Sequence, residues 1–169
     1  MKIAIVPGSF DPITKGHVDI IERAAALFDQ VVVAVMVNEE KTYRFSTEQR
    51  LKLAALSCAH VPGVRVIFDQ GMLVDLVDKL GACAIVKGIR NEIDLAYEQN
   101  MARCNKEKNP RAETIYLPCA PQYEHVSSTA VRERLDKGAS VDDLVQENAV
   151  AELVEWDAAR PAKNETSRF

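Results

Sequence analysis

Five short apolar runs, separated by longer segments with helical spacing, constrain the fold of this chain more than any other feature. The runs cover residues 2–7, 31–37, 64–68, 83–87 and 114–118, and they are rich in valine and isoleucine. They are continuously apolar, which is typical of strands buried on both faces of a sheet. Because helical segments lie between them, the pattern predicts an α/β fold, a five-stranded parallel sheet with helices on both faces.

Residues that are typical of helix starts and helix ends flank several of the predicted helices. The helical segments cover residues 17–28, 46–59, 72–80, 93–105, 127–137 and 148–158. Ser46 followed by Gln49 is a capping-box pattern, in which the two side chains satisfy backbone N–H groups at a helix start. Gly81 follows the third segment and Gly138 follows the fifth, as is common where helices end. These signals support the alternation of strands and helices.

Length and charge narrow the possible partners. The chain has 169 residues and a net charge of −4. It is long enough to bury a core, but it lacks the basic excess of a nucleic-acid or membrane-surface binder. The longest strongly apolar run, 31–37, has seven residues and is too short to span a bilayer. We predict a cytoplasmic protein with one domain over residues 1–158, a flexible polar tail over 159–169, and no nucleic-acid or membrane partner.

Glycines, hydroxyl groups and basic side chains follow the carboxyl ends of the predicted strands. They occur at Gly8-Ser9-Phe10, Lys15-Gly16-His17, Lys41, Arg44, Gly71, Lys87-Gly88-Ile89-Arg90 and Ser127-Ser128-Thr129. Ligands of such sheets bind beside the carboxyl ends of the strands, where the strand order reverses. In an acidic chain, this collection predicts a phosphate pocket. Backbone N–H groups and a helix N-terminus would hold the anion there, with lysine and arginine to neutralise it.

Two common phosphate-binding motifs, Gly-x-Gly-x-x-Gly and Gly-x-x-x-x-Gly-Lys-Ser/Thr, do not occur in the sequence. The motifs present are Thr14-Lys15-Gly16-His17 within PGSFDPITKGH, KGIR at 87–90, DLAYE at 94–98, and Ser127-Ser128-Thr129 ahead of Arg132. In this order, from residue 1 to about residue 155, they resemble the bacterial phosphopantetheine adenylyltransferases. These enzymes are nucleotidyltransferases that carry a Thr/His-x-Gly-His motif after the first strand.

The resemblance implies a Rossmann-like, doubly wound sheet and a specific reaction. AMP passes from ATP to the phosphate of 4′-phosphopantetheine, giving dephospho-coenzyme A and pyrophosphate in coenzyme A biosynthesis. The resemblance further implies a homohexamer, Mg²⁺ bound mainly through the ATP phosphates, and no metal-binding residue of the chain. Coenzyme A is a candidate feedback ligand. The attacking phosphate oxygen is already ionised at neutral pH, so catalysis needs positioning and charge stabilisation rather than a general base.

The resemblance also assigns roles to individual residues. His17, at a helix start, would stabilise the transition state by donating a ring N–H to the α-phosphate, in either protonation state. The residues assigned to ATP are Ser9, Phe10, His17, Gly88, Ile89, Arg90, Glu98, Tyr123, Glu124, His125, Val126, Ser127, Ser128 and Thr129. Those assigned to phosphopantetheine are Ser9, Lys41, Leu73 and Lys87, with Lys87 on the acceptor phosphate. Taken alone, Lys41 would be a solvated loop lysine and Leu73 a core residue.

Two alternative functions remain open from the residues. The first is another nucleotidyltransferase, which would act on nicotinamide mononucleotide or a polyol phosphate. Those enzymes usually carry histidine where this chain has Thr14, which counts against them. The second is a non-catalytic nucleotide-binding module of flavodoxin-like shape. Such a module would not need His17, Lys41 and Arg90 together.

Overall fold

Five parallel strands form one sheet in the computed structural model, which describes residues 1–161. The strands are β1 (Ile3–Gly8), β2 (Gln30–Met36), β3 (Val64–Asp69), β4 (Ala84–Ile89) and β5 (Thr114–Pro118). Their order across the sheet is β3-β2-β1-β4-β5. The chain therefore builds outward from β1 in one direction and then in the other, and the order reverses between β1 and β4. The predicted doubly wound parallel sheet is confirmed, with every strand in its predicted place.

Within residues 1–161, six α-helices connect the strands or follow them. They are α1 (Lys15–Ala25), α2 (Thr47–Cys58), α3 (Leu73–Leu80), α4 (Glu92–Lys108), α5 (Ser128–Asp136) and α6 (Glu147–Ala158). A short 3-10 helix covers Pro121–Tyr123. The predicted capping box is present, since Ser46 accepts from the Gln49 N–H and the Gln49 side chain accepts from the Ser46 N–H. Gly81 ends α3 in the left-handed conformation, at φ 60°, which costs glycine little.

The core has two layers because side chains alternate between the faces of the strands. On β1, Ala4 and Val6 point into the larger cluster, and Ile5 points into the smaller one. The larger cluster is completed by α1, α2, α5 and α6, through buried side chains such as Ile21 and Leu153. The smaller cluster is completed by α3. By contrast, α4 contributes no buried residue among those that the structure describes.

The last described helix, α6, ends at Ala158. Residues 162–169 of the predicted flexible tail lie outside the described residues, so both the tail and the domain boundary at residue 158 stay predictions. Within residues 1–161, no helix combines the length and the apolar character that crossing a membrane requires.

Candidate active site

A cleft of about 530 Å³ opens where the strand order reverses, at the carboxyl ends of β1 and β4. The starts of α1 and α5 and the first turns of α4 all contribute residues to its lining. Predicted site residues that line the cleft are Phe10, His17, Lys87, Gly88, Arg90, Glu98, Val126, Ser127, Ser128 and Thr129. The tertiary structure thus brings together residues from three distant parts of the sequence.

The loop after β1 contacts the His17 ring through Phe10. Phe10 has a positive φ of 47°, and only 3% of its surface is exposed. Its ring meets the His17 ring edge-on, with the two centroids 5.1 Å apart. Gly8 makes room for this arrangement, because a Cβ atom there would lie 2.9 Å from Cζ of Phe10. Phe10 therefore acts on the cleft mainly by fixing the plane of the His17 imidazole.

The cap of α1 fixes the orientation of His17 and the role of each ring nitrogen. Thr14 is the N-cap, and its backbone N–H donates to Nδ1 of His17 at 3.0 Å. In return, the Thr14 hydroxyl oxygen accepts from the His17 backbone N–H at 3.4 Å. Because Nδ1 accepts a hydrogen bond from the backbone, a neutral imidazole carries its proton on Nε2. The conformation that starts the helix thus leaves Nε2–H as the donor of this side chain.

The charge state of His17 follows from its surroundings. Burial lowers its pKa to about 4, helped by the positive charges of Arg90 and Lys87. The imidazole is therefore neutral at pH 7, and Nε2–H is a fixed hydrogen-bond donor. The sequence had left the protonation state open, because the helix start and bound phosphates shift the pKa in opposite directions. In the described chain, burial is the largest cause of the shift.

We expect this protonation state to be directly measurable. Nitrogen-15 shifts of the His17 ring should show the Nε2–H tautomer at pH 7, with Nδ1 taking up a proton only near pH 4. A His17 ring that titrates near the ordinary histidine pKa of 6.5 would contradict this assignment.

Two basic residues of the cleft are each held by an acid of α4. Nζ of Lys87 lies 3.2 Å from Oε1 of Glu98, and Nε of Arg90 lies 2.9 Å from Oδ2 of Asp94. Asp94 and Glu98 are four residues apart, so they lie on the same face of the helix. The lysine and the arginine come from the end of β4 and the residue that follows it. Positive charge is thus placed in the cleft and held in position by neighbouring carboxylates.

The start of α5 also lines the cleft. Ser127 is the N-cap, and its hydroxyl oxygen accepts from the Ala130 N–H at 3.0 Å. The Ser128 hydroxyl donates to the carbonyl of Pro12 at 2.8 Å, which ties the helix to the loop after β1. With α1, two helix N-termini therefore border one cavity. Their free N–H groups and dipoles favour an anion between them.

A second cavity of about 100 Å³ adjoins the cleft beneath α4. It is lined by Leu73, Ile85, Met101, Ala102, Asn105 and Thr114, and it shares Lys87, Tyr97 and Glu98 with the cleft. Leu73, the residue assigned to the pantetheine arm, thus lies in this second cavity. A ligand with a phosphate and an apolar arm would span both cavities, with its charged end at Lys87.

Several predicted site residues do not line the cleft or the second cavity. These are Ser9, Lys41, Ile89, Tyr123, Glu124 and His125. Lys41 is exposed in the loop after β2, where its backbone N–H donates to the Asn38 carbonyl at 3.0 Å. Ser9 lies beside the cleft, and its carbonyl accepts from Arg50 at 2.6 Å. The assigned roles of these residues remain predictions.

Two groups of residues at or beside the site had no role assigned from the sequence. Asp94 and Tyr97 belong to the DLAYE motif, and both line the cleft. Arg50 of α2 is 1% exposed and donates to the carbonyls of Ser9 and Met36, which ties the ends of β1 and β2 together. One signal was available for each group. Asp94 precedes Glu98 by one helical turn, and Arg50 is a basic residue three positions before Leu53 on the apolar face of α2.

Metal-binding groups of the chain itself are not apparent in the part that the structure describes. Residues 1–161 contain no cluster of three or more histidine, cysteine, aspartate or glutamate side chains that could hold an ion. The two carboxylates in the cleft, Asp94 and Glu98, already face Arg90 and Lys87.

Comparison with known proteins places the chain in a family. The sequence model of the cytidylyltransferase-like family matches residues 5–134. A phosphopantetheine adenylyltransferase of Caldanaerobacter subterraneus subsp. tengcongensis is 42% identical over 155 residues, which cover 92% of this chain and 97% of that protein. Another, of Heliobacterium modesticaldum, is 41% identical and covers 92% of each chain.

A solved structure shares the fold at lower identity. It is a Vibrio parahaemolyticus protein provisionally named a nicotinate-nucleotide adenylyltransferase. It matches with a TM-score of 0.73 and 19% identity over 93% of this chain and 94% of its own. That likeness concerns the fold, whereas the two relatives above 40% identity extend over nearly the whole sequence. The chain therefore belongs to the cytidylyltransferase-like family and, within it, to the phosphopantetheine adenylyltransferases.

Proposed function

We propose that this chain transfers the adenylyl group of ATP to 4′-phosphopantetheine, giving dephospho-coenzyme A and pyrophosphate. An oxygen of the acceptor phosphate forms a bond to the α-phosphorus of ATP. The bond between that phosphorus and the oxygen bridging to the β-phosphate breaks, and pyrophosphate leaves with the electron pair. No proton is transferred in this step, because the attacking oxygen is already ionised.

The observation that best supports this function is that the cleft and the second cavity share lining residues, Lys87 among them. The larger cleft, bordered by two helix N-termini, suits a nucleotide and its phosphates. The adjoining cavity, with Leu73 and Met101, suits the arm of the acceptor. Lys87 lines both cavities, so an acceptor phosphate held there would face the nucleotide. The acceptor and donor phosphates would then meet near His17.

His17 acts in this reaction as a hydrogen-bond donor. The imidazole is neutral and held by the cap of α1, and it lines the same cleft as Lys87 and Arg90. Charge builds on the oxygens of the α-phosphoryl group as the bonds exchange, so a donor aimed there stabilises the transition state more than the ground state. A positively charged imidazole is not required for this role.

The remaining contacts are assigned to the two substrates. Arg90 and the N–H groups at the start of α5 hold the ATP phosphates, and Lys87 holds the acceptor phosphate. Gly88, Ile89, Glu98 and the segment 123–129 contact the nucleotide. Ser9 contacts both substrates, Lys41 binds the reacting phosphates from the loop after β2, and Leu73 contacts the arm of the acceptor.

Magnesium would enter this site with the nucleotide. Phosphate oxygens are ligands that Mg²⁺ prefers, and it commonly retains several water molecules. The carboxylates of Asp94 and Glu98 face the cations Arg90 and Lys87, which fits a metal held mainly by ATP rather than by the chain. When bound, the ion neutralises negative charge on the phosphates.

One assay separates the proposed function from its alternatives. The protein is incubated with ATP, Mg²⁺ and one acceptor at a time, and pyrophosphate release is followed. Release that depends on 4′-phosphopantetheine is the expected result. Release with nicotinamide mononucleotide or a polyol phosphate instead would indicate another nucleotidyltransferase. Binding of ATP without release for any acceptor would indicate a non-catalytic module.

Coenzyme A is a proposed feedback ligand of the same site. It contains both the phosphopantetheine arm and an adenylate group, so it would occupy the cleft and the second cavity together. Inhibition should then be relieved by raising the acceptor concentration.

We place the reaction in the cytoplasm, where ATP is available.

A homohexamer is the proposed assembly, and it rests on the resemblance to the family. The exposed apolar residues of α4, Ile93, Tyr97 and Met101, line the cleft or the second cavity and are assigned to the substrates rather than to association between copies. Sedimentation at micromolar concentration is expected to show a species of six times the 18.7 kDa chain. A stable monomer under those conditions would rule out the hexamer.

A further inference from the structure

Asp94 holds Arg90 by three hydrogen bonds. Oδ2 of Asp94 accepts from Nε of Arg90 at 2.9 Å and from the Arg90 backbone N–H at 3.2 Å. Oδ1 accepts from Nη2 of Arg90 at 3.3 Å. The carboxylate thus fixes both the guanidinium plane and the main chain just after β4. Both of its oxygens are used in doing so.

The position of Asp94 is itself fixed by the start of α4. Asn91 is the N-cap of this helix, and its side-chain oxygen accepts from the Asp94 backbone N–H at 2.9 Å. The Ile89 carbonyl, just before Arg90, accepts from the Cys119 N–H at 2.7 Å, which ties the segment to the end of β5. Arg90 and its carboxylate partner are therefore anchored to two rigid elements.

This arrangement leaves a defined edge of Arg90 for a ligand. A guanidinium has five N–H donors. Asp94 engages Nε and one N–H of Nη2, and no other acceptor of the described residues is hydrogen-bonded to Nη1. The remaining donors belong to a side chain that lines the cleft and lies close enough to His17 to lower its pKa. An anion bound to these remaining N–H groups therefore contacts a guanidinium that is already oriented.

A carboxylate would otherwise be an unfavourable residue in a pocket for phosphates, because like charges repel. Asp94 lines the cleft as well, with 24% of its side chain exposed against 39% for the arginine, and its ion pair with Arg90 offsets that repulsion. Without this partner, the long arginine side chain would lose rotamer freedom only when ATP binds, at a cost in affinity. Fixing the Arg90 side chain before ATP binds avoids this entropy cost. The benefit is largest for reactions that depend on precise orientation of the groups, such as phosphoryl transfer.

We propose that Asp94 is a positioning residue of this enzyme, which presents Arg90 to the ATP phosphates in the orientation that binding and transfer require. This rests on the proposed function, in which Arg90 binds ATP. Asp94 makes no contact with substrate in this assignment and acts only through the arginine. Its removal should therefore lower activity only while Arg90 is present.

A double-mutant cycle tests this dependence. Asp94→Asn keeps the size of the side chain but removes its charge, and it should lower kcat/KM for ATP about tenfold, the lower end expected for a charged hydrogen bond. The KM for phosphopantetheine should stay unchanged. In an Arg90→Ala background, Asp94→Asn should cause no further loss, because coupled residues are not additive.

Asp143→Asn is the matched control, since Asp143 makes a two-pronged pair with Arg134 outside both cavities. This control should leave all kinetic constants near those of the wild type. If Asp94→Asn does not fold, the cycle is run with Asp94→Glu, whose extra methylene displaces Arg90 while keeping a charged partner. A smaller loss that again disappears in the Arg90→Ala background is then expected.

The outcomes separate this inference from the proposed function. If Asp94→Asn behaves like Asp143→Asn, or if its loss multiplies with that of Arg90→Ala, the positioning role is wrong and the function stands. If Arg90→Ala itself leaves kcat/KM for ATP unchanged, the proposed role of Arg90 is rejected. If the wild type releases no pyrophosphate with phosphopantetheine, the function itself fails.

Discussion

Replacing His17 with alanine is expected to lower turnover about a hundredfold to a thousandfold, as removal of one well-placed transition-state donor does. Phosphopantetheine binding should remain nearly unchanged, because the Nε2–H donor strengthens its hydrogen bond only as charge builds on the α-phosphoryl group. Steady-state kinetics and calorimetry on the same preparation measure the two effects. His60→Ala is the control, since it removes an exposed imidazole that pairs with Glu22 outside the cleft.

The pH dependence of the His17→Ala variant identifies the role that was lost. With a pKa of about 4, His17 is already neutral at pH 7, so it does not supply a positive charge. The attacking phosphate needs no deprotonation, so raising the pH should not restore the rate of the variant. A loss of less than about tenfold, well short of the range for such donors, would show that His17 is not the transition-state donor. Recovery at high pH would indicate a missing base instead.

Replacing Lys87 with alanine should weaken phosphopantetheine binding about tenfold to a hundredfold, the range for a lost hydrogen bond to a charged group. ATP binding should change much less. The loss has two sources in this site. Lys87 no longer neutralises the acceptor phosphate, and the Glu98 carboxylate, 3.2 Å from Nζ in the wild type, is left without that partner. Calorimetric titration with each substrate separately measures the difference.

A second substitution separates these two sources. Lys87→Ala combined with Glu98→Gln should recover part of the acceptor affinity, because the unpaired carboxylate no longer repels the phosphate. Lys106→Ala is the matched control, since Lys106 pairs with Glu113 outside both cavities. Equal losses of affinity for ATP and for phosphopantetheine in the single variant would reject the assignment of Lys87 to the acceptor.

Much of the fold could be predicted because its signals are local. A capping box needs only residues three positions apart, and Ser46 and Gln49 form one as expected. Gly81 could be read as a helix end because few other residues adopt its φ of 60°. The continuous apolar runs predicted strands buried on both faces, which holds for the inner strands β1, β2 and β4, whereas the edge strands β3 and β5 have no buried residue. The alternation with helices predicted a parallel sheet. The parallel sheet in turn predicted ligand binding at the carboxyl ends of the strands, whereas the strand order that puts the reversal between β1 and β4 came from the structure.

The sequence by itself therefore determined the element order, the sheet class and the family, and it predicted a site at the carboxyl ends of the strands. Only the tertiary structure decided which charges face each other. The pairs of Lys87 with Glu98 and Arg90 with Asp94 depend on where α4 lies over β4. The lowered pKa of His17 depends on burial and on cations more than sixty positions away in sequence. Local propensity acts through neighbours along the chain, whereas desolvation and charge act through space, so they exist only once the chain has folded.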